Sequence, residues 1–501
     1  MTRTKTSRAK AAQADALGDL VNKLASSPEA VDLLRGAAHP AKRMLFSNFA
    51  VTLARHLHLD GLAQREELFS EIVQWIATHP TACPSTLHEA AVEFQEERAL
   101  NRKIHRILVS RLGLSRDPGH SWVSSLPKYS LNRLDTPYPP LGHFVSESPE
   151  IRQKWEKWIL EDPQPDPRKA RCAIHDLDPS KLQLTIPIDE SCVIIDKKDK
   201  SIVAVVLRNM VGEEDDLQSG FISWAVKTVK DGITGRRSIR LEDPGQMIQA
   251  GYSAGARSKP AFHWVRNLLR KEGLTAEFLA SADYQTSCLF AVGWNMCRAQ
   301  LPGEIMDNWV DWLQSNALPR MDAGIGIDGT LGDYEVPLGD QLVTFHNAEL
   351  APPTGLLNQN YARAMHYEPQ PHPYSIQWIL SRSHPTDQGG HFYIASYGVQ
   401  IVLAPDTLIS WRPADIHGTS LANYSPYESS PAFQQLGIAF VTPPRLNKVY
   451  QRYKESLPLH DTHAEPILFG KHWTGEDEAA DAAAQEFIAD MVAGIVEDPK
   501  L

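Results

Sequence analysis

The 501-residue chain lacks any apolar run long enough to cross a bilayer, so no membrane span is expected. Its opening, MTRTKTSRAKAAQ, has basic residues but no apolar stretch behind them, and does not read as a secretory leader. A disordered basic tip over 1–12 is expected, with a weak nuclear-import patch as the alternative. Five scattered cysteines with no C-x-x-C pair exclude a zinc ribbon and a disulfide framework, and fit a reducing, intracellular compartment. There is no Walker-type phosphate loop and no internal repeat. Positive charge is also scarce: the net charge of −11 argues against a protein that coats nucleic acid, while leaving room for a local basic groove.

What is present divides the chain. Residues 13–116 carry apolar residues at three- and four-residue spacing, as in LFSNFAVTLARHLHL and REELFSEIVQWIAT, and predict an α-helical region. From 117 to 180 prolines dominate, which predicts a linker or an arm packed on the next domain. Residues 181–455 mix helices with many short alternating strands separated by turn signals, the pattern of a sandwich or barrel. A hairpin is expected where Val193–Ile195 and Ile202–Leu207 flank DKKDK. An acidic tail with a helix is expected over 456–501. Two segments are basic, KDGITGRRSIR at 230–240 and GARSKPAFHWVRNLLRKEG at 255–273. The second predicts a short helix bearing Arg266, Arg270 and Lys271 beside His263 and Trp264. Basic and aromatic residues interleaved in this way suit a phosphate backbone, and suit a solvated helix face equally well.

The residues with chemistry cluster late. His366 and Glu368 form H-x-E immediately before a predicted strand, and residues two apart on a strand share a face. One histidine and one carboxylate can therefore offer a nitrogen and an oxygen to a single ion. His417, several strands later, can complete a set of two histidines and a carboxylate, which leaves open positions on iron. His384 with Asp387 has the wrong spacing for a shared face, and His372 sits between prolines. His391 follows the Gly389-Gly390 turn, where it either packs or meets substrate.

The stretches NYARAMHYE, GGHFYIASYGV, DTLISWRPADIHGTSL and FQQLGIAFVT, over about a fifth of the chain, resemble the double-stranded β-helix of iron(II)- and 2-oxoglutarate-dependent oxygenases. Within these they look most like the TET/J-binding-protein branch, including its fungal members. The resemblance implies an α+β fold with a jelly-roll oxygenase core behind a helical N-terminal region, and iron(II) held by His366, Glu368 and His417. It implies 2-oxoglutarate as co-substrate and a methyl group of 5-methylcytosine or thymine in DNA as substrate, hence a nuclear location. Thr419, Ser420 and Asn360 would support the ligands. Tyr361, Tyr367 and His391 would contact the base. Arg236, Arg237, Arg240, Arg257, Lys259, Arg266 and Arg270 would line a DNA entrance.

The chain departs from this family in two places. Glu368 stands where the family has aspartate. No lysine or arginine lies between Arg412 and Arg445, where the arginine that anchors 2-oxoglutarate is expected. Arg363 and Arg445 are then the candidate anchors, with Gln435 and Asn360 near the expected place and Arg382 and Arg412 as rim residues. Ascorbate, which can chelate iron through two oxygens, is the alternative co-substrate. An oxygenase of the same fold acting on a protein side chain or a metabolite is the first rival reading. A non-catalytic interaction protein with a degenerate barrel is the second.

Overall fold

The computed structural model describes residues 16–37, 40–57, 65–115, 121–164, 172–212, 216–255, 260–265, 274–322, 331–339 and 341–456. These fall into two units divided between Arg106 and Ile107. The expected basic tip, the tail beyond residue 456, and Arg257, Lys259, Arg266, Arg270 and Lys271 lie outside the described residues.

The first unit is helical, as its periodicity predicts. A helix over residues 16–25 is followed by Pro28–Arg35, Pro40–His56, Arg65–Thr78 and Ser85–Arg111, the last running past the division. Ser27 caps Pro28–Arg35 by accepting the Ala30 N–H at 3.2 Å, while Pro28 occupies a first-turn position that needs no donor. Leu20, Leu24, Leu34, Phe49, Ile72 and Leu87 meet in one core, and Phe69 packs edge-to-face against Phe46 and Phe94.

The second unit carries eighteen named strands among the described residues. In chain order they are β1 (Lys128–Leu131), β2 (His143–Ser146), β3 (Ala173–Asp176), β4 (Leu184–Ile186), β5 (Cys192–Asp196) and β6 (Ile202–Arg208). Next come β7 (Gln246–Gly255), β8 (Pro260–Trp264), β9 (Leu331–Leu338), β10 (Gln341–Glu349), β11 (Thr354–Gln359) and β12 (Arg363–His366). The last are β13 (Ser375–Arg382), β14 (Phe392–Ile394), β15 (Val399–Ile401), β16 (Thr407–Trp411), β17 (His417–Thr419) and β18 (Gln435–Phe440). One nine-stranded sheet has the order β1-β5-β6-β16-β13-β18-β11-β7-β8, and a five-stranded sheet the order β12-β17-β14-β15-β4. The hairpin read around DKKDK is β5–β6. Within the proline-rich region, β1 pairs parallel to β5, and β2 pairs parallel to β3. Together with the helices, this is a mixed α+β unit.

Both faces of the large sheet are covered, which is why β18 is buried at all six positions. Trp378, Ile438 and Phe440 lie close to Gly293 on the helix Ala276–Gln300, and Leu357 abuts Gly232 on the helix Asp216–Ile233. Period-two alternation sends their neighbours Gln377, Ala439 and Leu356 to the other face. Register lines these up with Gln249 in one row across β7, β11, β18 and β13. On that face the two sheets share a core of Ile394, Val399 and Ile401 from one and Ile194, Val206, Ile379 and Ile409 from the other. The Gly389-Gly390 pair that leads into β14 has φ of 67° and 74°. A side chain at Gly389 would run into the Leu421 carbonyl, so only glycine makes this entry.

Candidate metal centre

His366 ends β12 and His417 opens β17, and antiparallel register sets them directly opposite each other. Their ring centroids are 4.4 Å apart. Glu368, two residues after His366, brings Oε1 to 3.4 Å from His366 Nε2. Ligand atoms from His366, Glu368 and His417 all lie within 4.8 Å of one another. Two ligands about 2.1 Å from one ion and at right angles lie ~3 Å apart, a separation that the His366–Glu368 pair approaches.

The tautomers also suit a cation. His366 Nδ1 faces the Ala364 carbonyl at 2.8 Å, and His417 Nδ1 faces the Asp415 carbonyl at 2.8 Å. A carbonyl oxygen only accepts, so each ring carries a proton on Nδ1 and turns its Nε2 towards the centre. Burial and the neighbouring His366 ring push His417 down to about 3, so it is neutral at physiological pH. Burial opposes ionisation of Glu368, but the His366 imidazole and the Arg363 guanidinium outweigh it and hold the carboxyl well below its usual range. Two imidazoles and one carboxylate are the donor set for which iron(II) is suited. His417 is packed by Phe392 and Trp411, with ring centroids 5.9 and 5.4 Å away.

The three residues open on a cavity of about 440 Å³. Its other wall is the inner row of the large sheet, Gln249, Leu356, Ala439 and Gln377, with Asn358 and Thr354 from the flanking rows. Tyr361, Tyr367, Arg240, Arg363 and Thr419 line it too. Tyr367 is 62% exposed at the opening. Arg240 pairs with Glu242 at 3.7 Å and also lines two neighbouring cavities, of about 340 and 530 Å³.

Other expected site residues are placed elsewhere. Gln435 is buried with Oε1 accepting from Arg382 at 2.6 Å and Nε2 donating to the Gly390 carbonyl at 3.1 Å. Asn360 donates to the Phe433 carbonyl and accepts the Gln435 N–H, each at 2.7 Å, and does not line the cavity. Both amides hold strands together, which uses the groups a co-substrate would need. Arg445 donates to the Gly255 carbonyl at 2.7 Å, just beyond the cavity-lining Pro443 and Pro444. Arg382 is not a rim residue: it is buried, donating to Gln435 and to the carbonyls of His384, Pro385 and Gly389. Arg412 binds Asp415, Ser201 and Tyr397. His391 is 1% exposed and accepts the Leu403 N–H on Nδ1, so it is core rather than a base contact. Ser420 binds Glu147. Arg236 is buried against Asp283 at 2.7 Å, which removes it from any DNA surface, whereas Arg237 is partly exposed.

Asp243 was not expected. It is buried, accepts from Tyr361 at 2.6 Å, and lies 3.8 Å from Arg363 Nε. It occupies a turn more than a hundred residues before His366, and no spacing signal links the two. Gln377 takes a polar position in the alternation of SIQWILS, but only strand register sets it in one row with Gln249.

No protein-family model matches the chain, and no curated protein does. Among solved structures, NgTET1 in complex with 5mC DNA is similar at 9% identity and a TM-score of 0.33, covering 61% of this chain and 96% of that chain. A likeness at that level leaves the chemistry to the residues of the site.

Proposed function

We propose that this chain is an iron(II)-dependent dioxygenase with a double-stranded β-helix core that oxidises the methyl group of 5-methylcytosine or thymine in DNA. The observation that supports it is the convergence of His366, Glu368 and His417, from opposed strands, on one point in a cavity. Iron(II) held there would supply the activation of oxygen that an inert C–H bond requires. The protein's own part is placement and exclusion of water. Phe392 and Trp411 shield the His417 face. The two Nδ1–H bonds fix the ligand rings. Tyr361 and Tyr367 stand where a base taken out of the stack would enter.

The co-substrate is 2-oxoglutarate in this reading, with ascorbate as the alternative. The cavity's arginines are Arg240 and Arg363, and Arg363 is engaged by Glu368. Among the described residues Arg240, on the segment before β7 rather than on β18 and paired with Glu242 at 3.7 Å, is then the cavity arginine that does not bind Glu368 and that would hold a co-substrate carboxylate. The reading carries with it a nuclear protein that binds DNA through a local basic groove.

The test is anaerobic reconstitution with iron(II), then methylated DNA with either 2-oxoglutarate or ascorbate in air, followed by nucleoside mass spectrometry. An oxidised base that disappears with His417→Ala is expected. Intact iron binding with no oxidised base under either condition overturns the DNA assignment. Burial of Arg236 favours a second reading, an oxygenase of the same fold acting on a protein side chain or a metabolite. Salt-sensitive duplex binding separates the two, since a metabolite enzyme has no reason to show it.

A further inference from the structure

Glu368 raises a physical question that the triad alone does not answer. Glutamate has one more rotatable bond than aspartate, so an unsupported Glu carboxylate would have to be ordered at the moment an ion binds. In this protein both of its oxygens already have partners. Oε1 accepts from Arg363 Nη1, and Oε2 faces Gln370 Nε2 at 3.4 Å. The backbone N–H of Glu368 donates to the Pro413 carbonyl at 2.8 Å.

Arg363 is a strange neighbour for a cation site, because its charge would repel the ion. The structure contains the answer to that as well. On its far side Arg363 faces Asp243 at 3.8 Å, and Asp243 is in turn held by the Tyr361 hydroxyl at 2.6 Å. The Arg363 and Asp243 side chains are only 16% and 9% exposed, so water does little to screen them from each other. Their charges offset, which leaves the Glu368 carboxylate with its charge for the metal and its orientation fixed by the guanidinium.

We propose that the chain Tyr361–Asp243–Arg363–Glu368 is a positioning device for the metal. Arg363 holds Glu368 in its ligating rotamer, and Asp243 offsets part of the Arg363 charge that would otherwise repel the ion. Asp243 comes from the turn before β7, whereas the other three lie on or beside β12. The device therefore ties the metal ligand beside the small sheet to the segment that leads into β7 of the large one. This inference rests on the metal reading of the triad.

The test uses the full chain, freed of metal and titrated anaerobically with Co(II), followed by calorimetry and by the visible absorption of the bound ion. Wild type is expected to bind, with absorption that responds to the ligand field. Arg363→Gln and Asp243→Asn should each weaken binding by about 10- to 100-fold, the range for outer partners of metal ligands, and should alter the visible bands. Arg363→Lys should recover part of the loss. The Arg363→Gln effect should shrink in a Glu368→Asp background, where the carboxylate is too short to reach position 363. Near-ultraviolet dichroism and the thermal midpoint of each metal-free variant identify any that fails to fold, and the remaining variants then decide. Equal or tighter Co(II) binding by folded Arg363→Gln or Asp243→Asn overturns the positioning role while leaving the triad intact. No binding by wild type overturns the triad and this inference together.

Discussion

His366 and His417 stand opposite each other across β12 and β17, and each donates its Nδ1–H to the carbonyl two residues before it. The same local bond on both strands turns both Nε2 lone pairs to one point. Removing either ring should therefore abolish a site rather than weaken a fold. His417→Ala and His366→Ala are each expected to lose metal affinity beyond the ~100-fold seen for outer partners, in an anaerobic calorimetric titration. Normal iron binding by either variant would show that the ligands were wrongly identified.

Gly418 lies between His417 and Thr419, and a methyl group there would come within 2.8 Å of the Arg363 carbonyl and closer still to Met365. Backbone cannot yield as a flexible side chain can. Gly418→Ala should push β17 from β12, separate the two rings, and reduce metal affinity at least tenfold (about 1.4 kcal/mol). Titration against wild type measures this, and unchanged affinity would mean the strands have slack.

Arg382, expected at the barrel rim, proves to be a buried brace. Arg382→Ala would strip partners from the Gln435 amide and three carbonyls. A loss of about 3 kcal/mol is expected from unpaired buried groups, read as a lower urea midpoint. A variant of normal stability with raised KM for co-substrate would return Arg382 to the site.

Arg236 makes the parallel case for DNA. Arg236→Ala takes the cation from the partly exposed Asp283 carboxylate, at a cost of roughly 1–3 kcal/mol. The salt slope of duplex binding should be unchanged for any variant that remains folded, whereas loss of a phosphate contact would lower that slope by about 1.

His372 sets an acid limit. Burial holds it down to about 3, against ~6.5 in an unfolded chain, and its ring lies against Trp309 with centroids 3.4 Å apart. The unfolded chain takes up a proton that the folded one refuses, so stability falls as pH drops from about 6.5 towards 3. The slope per group is up to ~1.4 kcal/mol per pH unit, and no contribution exists above 6.5. His417, also near 3, adds a second such group in metal-free protein. His372→Asn should flatten the decline in thermal midpoint between pH 6.5 and 4.5, and an unchanged decline would refute the assignment.

The sequence by itself determined the local elements and singled out His366, Glu368 and His417 as candidates for one site. Helical periodicity marked the first unit, period-two alternation marked the strands, and the H-x-E spacing paired His366 with Glu368, although β12 ends at His366 and the strand itself does not carry Glu368. Its charge pattern also showed that β18 carries no arginine. Tertiary structure decided which side chains were already occupied. Arg363, Arg382, Gln435, Asn360 and His391 look alike as polar residues near a site, yet each is engaged by partners at other positions in the fold. Asp243 reaches Arg363 from more than a hundred residues away. Hydrogen-bond partners and burial depend on strand register and on which elements cross, and these are long-range properties that spacing along the chain does not encode.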